Sequence, residues 1–151
     1  MMRGNEAIST ISSLIETLKD GERGFMQASE AVIDQHLKSL FEQYSQQRHR
    51  FASELKIQAQ NLGELKPGIW SSAAGAMHRA WIALKATVTS GDDRAILREV
   101  ERGEDSAMHE FEEAMSDGLS GQAREIVARQ FTEIKSAHDR VKQLRDAAKN
   151  I

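Results

Sequence analysis

Apolar residues recur every three or four positions along four long segments of the chain. This is the spacing of one buried face on an amphipathic helix. The pattern predicts helices from Asn5 to about 33, over about 35–62, over about 92–116, and from about 122 to about 149. The first of these segments shows it with Ile8, Ile11, Ile15, Leu18, Phe25 and Val32. Helices of roughly 25 residues would form a bundle about 35–40 Å long.

The helix boundaries follow from local chemistry. Asn5 and Asp34 are suitable N-caps for the first two helices. The stretch "NLGELKPGIW" (61–70) contains the only proline and ends the second helix. A shorter helix over about 71–89 then carries Met77, Trp81, Leu84 and Val88 on one face. The sequence therefore predicts an all-α fold, a four-helix bundle with an additional short helix in the crossover connection, formed as one domain by residues 1–151.

Each predicted buried face carries a polar residue near its midpoint. Continuing the spacing from Leu18 leads to Glu22, and the second, third and fourth long helices present Arg48, Glu104 and His138 in the same way. Gln47 lies beside Arg48, and Glu101 lies nearer than Glu104 to the expected level of His138. We expect a buried polar network formed by Glu22, Gln47, Arg48, Glu101, Glu104 and His138.

A weak internal repeat supports two related helical hairpins. The stretch "KDGERGFMQASEAV" (19–32) resembles "ERGEDSAMHEFEEAM" (101–115), and the pair Gly21-Glu22 matches the pair Gly103-Glu104. The repeat places Glu22 and Glu104 at equivalent positions of the two hairpins.

Composition and charge argue against several classes of function. The 151 residues carry a formal net charge of −3, which argues against a protein built to bind nucleic-acid phosphates. No apolar run approaches the roughly 18 residues that a membrane-spanning helix needs. The chain has no cysteine, which excludes disulfides, thiolate metal sites and a thiol nucleophile. We expect a cytoplasmic protein without a membrane or nucleic-acid partner.

The stretches "LIETLKDGERGF", "GAMHRAWIALK", "VERGEDSAMHEF" and "AHDRVKQLRD" resemble the ferritin-like superfamily. They are most similar to an uncharacterised bacterial ferritin-like family, a domain of unknown function. The resemblance implies a bundle in which Glu22, Glu104 and His138 occupy metal-ligand positions for iron or manganese. It also suggests self-association through helix faces and a link to stress physiology.

The ligand pattern of a di-iron centre is incomplete. Di-iron members of the superfamily add a Glu-x-x-His on each of two helices, which puts both side chains on one face, one turn apart. In this sequence the residues three positions before the five histidines are Ile33, Gln46, Gly75, Ser106 and Lys135. We therefore expect no competent di-iron oxidase, no catalytic residues and no cofactor.

Two interpretations of the polar network remain open. In the favoured one, Arg48 replaces the metal and its planar guanidinium binds the inward carboxylates. In the alternative, Glu22, Glu104 and His138 bind a divalent ion, iron or manganese. The first interpretation leaves a self-associating or partner-binding protein. The sequence does not decide whether the chain forms a homo-oligomer, and it does not identify a protein partner. Trp70, His78 and Arg79 are candidate contact residues for such a partner.

Overall fold

The computed structural model describes residues 4–63 and 92–148, and within these ranges the chain is helical with no strand. Its four helices are α1 (Gly4–Ala31), α2 (Gln35–Asn61), α3 (Asp93–Ser116) and α4 (Gly121–Ala148). The all-α prediction is confirmed, and the four helices match the predicted ones to within a few residues. The predicted crossover helix at 71–89 and the candidate contact residues Trp70, His78 and Arg79 lie outside the described residues.

Aspartates begin two of the helices. The Asp34 carboxylate accepts a hydrogen bond of 3.0 Å from the Leu37 backbone N–H, which confirms the predicted N-cap of α2. Asp92 caps α3 in the same way by accepting from the Arg94 N–H. The predicted cap at Asn5 is wrong, because Asn5 lies inside α1, which already includes Gly4.

The third helix begins beside the turn between α1 and α2. The Asp93 carboxylate accepts hydrogen bonds from the backbone N–H groups of Ile33 (2.8 Å) and Asp34 (3.0 Å). At the same end of the bundle, the Arg94 guanidinium donates to the carbonyl of Ala148, the last residue of α4. Since α1 and α2 form a hairpin, α2 and α3 both start at this end and run parallel.

Neighbouring helices of the bundle are antiparallel. Helix α1 packs against α2 and α3, and α4 packs against α3 and α2. The backbones of α2 and α3 do not approach each other in the described part of the chain, so these helices lie across the bundle diagonal. A side chain that joins α2 to α3 must therefore cross the core.

The core combines aliphatic and aromatic side chains. The Phe25 ring of α1 packs against Phe41 and Tyr44 of α2, with ring centroids 5.8 and 5.3 Å apart. Phe111 of α3 is fully buried. Gly118 ends α3 with a φ of +93°, a conformation that favours glycine. No helix in the described ranges has the length and apolar character required to cross a membrane.

Candidate functional site

A buried ion pair crosses the centre of the bundle. Arg48 of α2 donates from Nη1 to Glu104 Oε1 at 2.6 Å and from Nη2 to Glu104 Oε2 at 2.8 Å. The side chains are 1% and 0% exposed. The two parallel hydrogen bonds form the bidentate geometry that suits a guanidinium and a carboxylate. This single contact connects the diagonal helices α2 and α3 through the core.

Helix α1 shapes the space in which Arg48 lies. The guanidinium carbon of Arg48 is 5.1 Å from the centroid of the Phe25 ring, within the range of a cation–π interaction. Gly21 also lies beside Arg48, and a Cβ atom added there would be 3.6 Å from both Cγ and Nη1 of Arg48. Because glycine has no side chain, the arginine can lie close to the α1 backbone.

Gln47 connects the buried pair to the surface. Arg48 Nε donates to Gln47 Oε1 at 3.2 Å, and Gln47 Nε2 donates to Glu133 Oε2 of α4, also at 3.2 Å. Each of the three guanidinium nitrogens of Arg48 thus has an acceptor. The acceptors stabilise a buried positive charge, which without them would be costly to desolvate.

Glu22 does not take part in this network. Its side chain is 35% exposed, and its carboxylate lies 3.2 Å from Nδ1 of the exposed His49. The expectation that Glu22 points into the core is therefore wrong. Gly21, one residue earlier, is buried at this level of α1 instead. A step of three from Leu18 leads to Gly21 and a step of four leads to Glu22, and both steps are compatible with a helix of 3.6 residues per turn.

Tyr44 lies close enough to the ion pair for the charges of the pair to shift the pKa of its phenol. Burial raises the pKa of the Tyr44 phenol above its usual value, and the negative charge of Glu104 raises this pKa further. The positive charges of Arg48 and Arg140 act in the opposite direction. Tyr44 is the only tyrosine of the chain, so its titration is a specific probe of this region.

A second polar cluster lies between α3 and α4. Glu101, Asp105 and His138 each offer one oxygen or nitrogen atom, and these atoms lie within 4.8 Å of one another. His138 Nε2 is 2.5 Å from Asp105 Oδ1, and His138 Nδ1 is 3.2 Å from Asp139 Oδ1. Burial lowers the pKa of His138, but the hydrogen bonds with Asp139 and Asp105 and the charges of Asp105 and Glu104 leave this pKa above its ordinary value.

The structure divides the expected network into separate parts. Arg48, Glu104 and Gln47 form one, Glu101 and His138 belong to the second cluster, and Glu22 pairs with His49. The metal-ligand set Glu22, Glu104 and His138 is not among the groups of converging ligands in the described ranges. The sequence analysis missed Asp105, although its position four residues after Glu101 places both on one face of α3.

The residues at the bundle centre do not fit the di-iron group that the resemblance implies. Both oxygens of Glu104 already accept hydrogen bonds from Arg48, and a permanent cation occupies the space between the diagonal helices. Glu22 is partly exposed and pairs with His49 instead. The arrangement compensates a buried charge and provides no free carboxylate for a bridging ligand.

Comparison with known protein families matches most of this chain to one family model. The model of a family described as Domain of unknown function (DUF2383) matches residues 6–117, which include all but the first two residues of α1, the whole of α2 and α3, and both members of the Arg48–Glu104 pair. A search of curated proteins found no match.

Proposed function

The chain belongs to this family of unknown function, and from that premise we propose that it is a ferritin-like bundle in which an arginine–glutamate ion pair takes the place of a di-metal centre. In this proposal the protein acts by self-association or by binding a protein partner, and it is not a di-iron oxidase. The whole chain, residues 1–151, forms one domain. The packing of α4 against α2 and α3 supports that extent, because α4 follows the matched range.

The observation that supports this proposal most strongly is the bidentate Arg48–Glu104 contact. In a di-iron bundle, metal ions balance the charge of carboxylates that point inward from different helices. Here the Arg48 guanidinium balances the inward carboxylate of Glu104 and so joins the diagonal helices α2 and α3. The sequence adds independent support, since it has no Glu-x-x-His on any helix.

An iron-oxidation assay tests whether the protein lacks di-iron oxidase activity. We expect the purified chain supplied with Fe²⁺ and oxygen to oxidise iron no faster than buffer alone. Arg48→Gln serves as the matched variant, because it removes the cation and frees the Glu104 carboxylate. Rapid iron oxidation by the wild-type chain that is abolished by Glu104→Gln would contradict the proposal.

Exposed apolar side chains support self-association. In the described part of the chain, Ile33 is 70% exposed and Ile57 is 56% exposed, and Met26 and Leu62 are also exposed. Ile33 lies in the turn between α1 and α2, whereas Ile57 lies near the opposite end of α2. Burying such side chains against a second copy would remove apolar surface from water.

Sedimentation equilibrium of the full chain tests the association. We expect a species heavier than the monomer, and we expect Ile33→Lys or Ile57→Lys to shift the equilibrium towards the monomer. Gln60→Lys is the control, because Gln60 is an exposed polar residue of the same helix as Ile57. A wild-type chain that stays monomeric at all concentrations would contradict self-association and leave only a different protein as partner.

A further inference from the structure

The cluster of Glu101, Asp105 and His138 has the composition and spacing of a cation site. Glu101 and Asp105 are one helical turn apart on α3, and His138 comes from the facing helix α4. One potential ligand atom from each residue lies within 4.8 Å of the other two. Two carboxylates would balance the charge of a divalent ion, and the imidazole would supply a nitrogen ligand.

His138 is oriented as a metal-binding histidine would be. Its Nδ1 contacts the Asp139 carboxylate at 3.2 Å, while its Nε2 faces Asp105 at 2.5 Å. Histidines that bind metals commonly donate the other ring N–H to a carboxylate, which fixes the tautomer and the ring orientation. Asp139 can hold the Nδ1 proton in this way, and Nε2 then points towards Asp105 and Glu101 as the ligand atom.

Glu101 brings a buried carboxylate to the cluster. The residue is only 8% exposed, and its Oε2 atom forms an ion pair of 2.8 Å with Arg145 Nη1. Buried charges are paired with an opposite charge or coordinate a metal, so the Glu101 carboxylate requires a cation beside it.

From this geometry we infer that Glu101, Asp105 and His138 bind a first-row divalent transition-metal ion. The imidazole ligand favours such an ion over Mg²⁺ or Ca²⁺, which prefer oxygen ligands alone. Three protein ligands leave at least one coordination position for water. Asp105 is 62% exposed, which gives an ion a path from solvent. The inference is independent of the Arg48–Glu104 pair.

Binding displaces two positive charges from the cluster. The ion replaces any proton on His138 Nε2, which is released to solvent, and it takes the place of Arg145 beside Glu101. Arg145 has a second acceptor, because its Nη2 donates to Asp146 Oδ1 at 3.0 Å. The guanidinium can therefore keep a carboxylate partner when it moves away from Glu101. This displacement predicts that Arg145 lowers the affinity for the ion.

Calorimetric titration with Co²⁺ tests the site on the chelator-treated full-length chain. We expect about one ion per chain and a visible absorption band typical of nitrogen and oxygen ligands. Glu101→Gln and His138→Gln should each weaken binding at least about tenfold, and Asp139→Asn should weaken it by about 10–100-fold through the ring orientation. Arg145→Gln should bind Co²⁺ more tightly than the wild-type chain. Circular dichroism establishes that each variant is folded.

His109→Gln is the matched control. His109 Nε2 lies 3.0 Å from Glu113 Oε1 on the exposed surface of α3, and neither residue belongs to a three-ligand cluster in the described ranges. We expect this variant to bind Co²⁺ as the wild-type chain does. Absence of binding by the wild-type chain, or an equal loss in His109→Gln and His138→Gln, would overturn the inference. Loss of binding in Glu104→Gln but not in Glu101→Gln would also overturn it, and weaker binding by Arg145→Gln would overturn the displacement step.

Discussion

Replacing Arg48 with methionine tests the central ion pair directly. Methionine keeps much of the apolar stem but removes the guanidinium, and Glu104 then remains 0% exposed without its cation. The structure indicates that one carboxylate is left without a partner, because Glu22 is partly exposed beside His49. The variant therefore isolates the electrostatic contribution of a single buried pair.

The expected loss of stability follows from the geometry of the pair. Two charge-assisted hydrogen bonds disappear, at 2.6 and 2.8 Å, and each such bond contributes about 1.5–3 kcal/mol. Removing one partner of a buried pair costs about 3–5 kcal/mol. We expect a loss in this range near neutral pH. Since a domain of this kind has a total stability of about 5–15 kcal/mol, the variant should be severely weakened.

The same variant should recover stability in acid. An ionised carboxylate without a counter-charge is disfavoured in the core, so folding of the variant favours protonation of Glu104. The folded state then binds more protons than the unfolded state, and the free energy of unfolding falls as the pH rises. Relative to wild type, Arg48→Met should gain stability as the pH falls towards about 4–5, where carboxyl groups protonate.

Urea unfolding at about pH 5 and about pH 7.5 measures both effects. Adding Glu104→Gln to Arg48→Met removes the charge and should abolish the recovery in acid. Arg129→Met is the control, since Arg129 pairs with Glu54 on the surface, where both side chains are substantially exposed. This control should cost less than about 1 kcal/mol. An Arg48→Met variant as stable as wild type at both pH values would refute the reasoning.

Three further predictions concern individual side chains. The charge of Glu104 raises the pKa of Tyr44 and the charge of Arg48 lowers it, so Glu104→Gln should lower this pKa and Arg48→Met should raise it. Ultraviolet absorbance of the phenolate measures the pKa. An unchanged pKa in both variants would contradict the proximity of Tyr44 to the ion pair. Asp34→Ala should lower the free energy of unfolding in urea by about 1 kcal/mol, because the Leu37 N–H loses its capping acceptor. Asp34→Asn should keep most of the stability, and equal losses in the two variants would contradict the capping role. The raised pKa of His138 means that its contribution to stability is complete below the unfolded value of about 6.5 and is lost as the pH rises through the folded pKa. The free energy of unfolding of His138→Gln should therefore lack this decrease with rising pH. The measurement compares the stability of variant and wild type between about pH 6 and about pH 8, with chelator present. Parallel profiles would show that His138 does not cause the decrease.

The helices of this protein follow from local sequence rules. Apolar spacing located α1, α2, α3 and α4, and the Asp34 cap was recognisable because its carboxylate needs only the first turn of its own helix. Arg48 also followed from spacing, since it continues the regular series of buried positions of α2 from Phe41 to Phe51. These features depend on residues close in the chain, which is why the sequence alone was sufficient.

The site depends on contacts between helices, which spacing leaves open. At the midpoint of α1, both Gly21 and Glu22 fit the helical period, and the choice follows from the Arg48 side chain, which lies against Gly21. The sequence placed His138 nearer the level of Glu101 than that of Glu104, but it did not predict the contact with Asp105, because only the register of α3 against α4 decides this. The sequence by itself therefore determined the helices and the residue types that enter the core. The tertiary structure alone determined which charges meet there, because a charged side chain pairs with the nearest group that its neighbouring helices bring within hydrogen-bond distance.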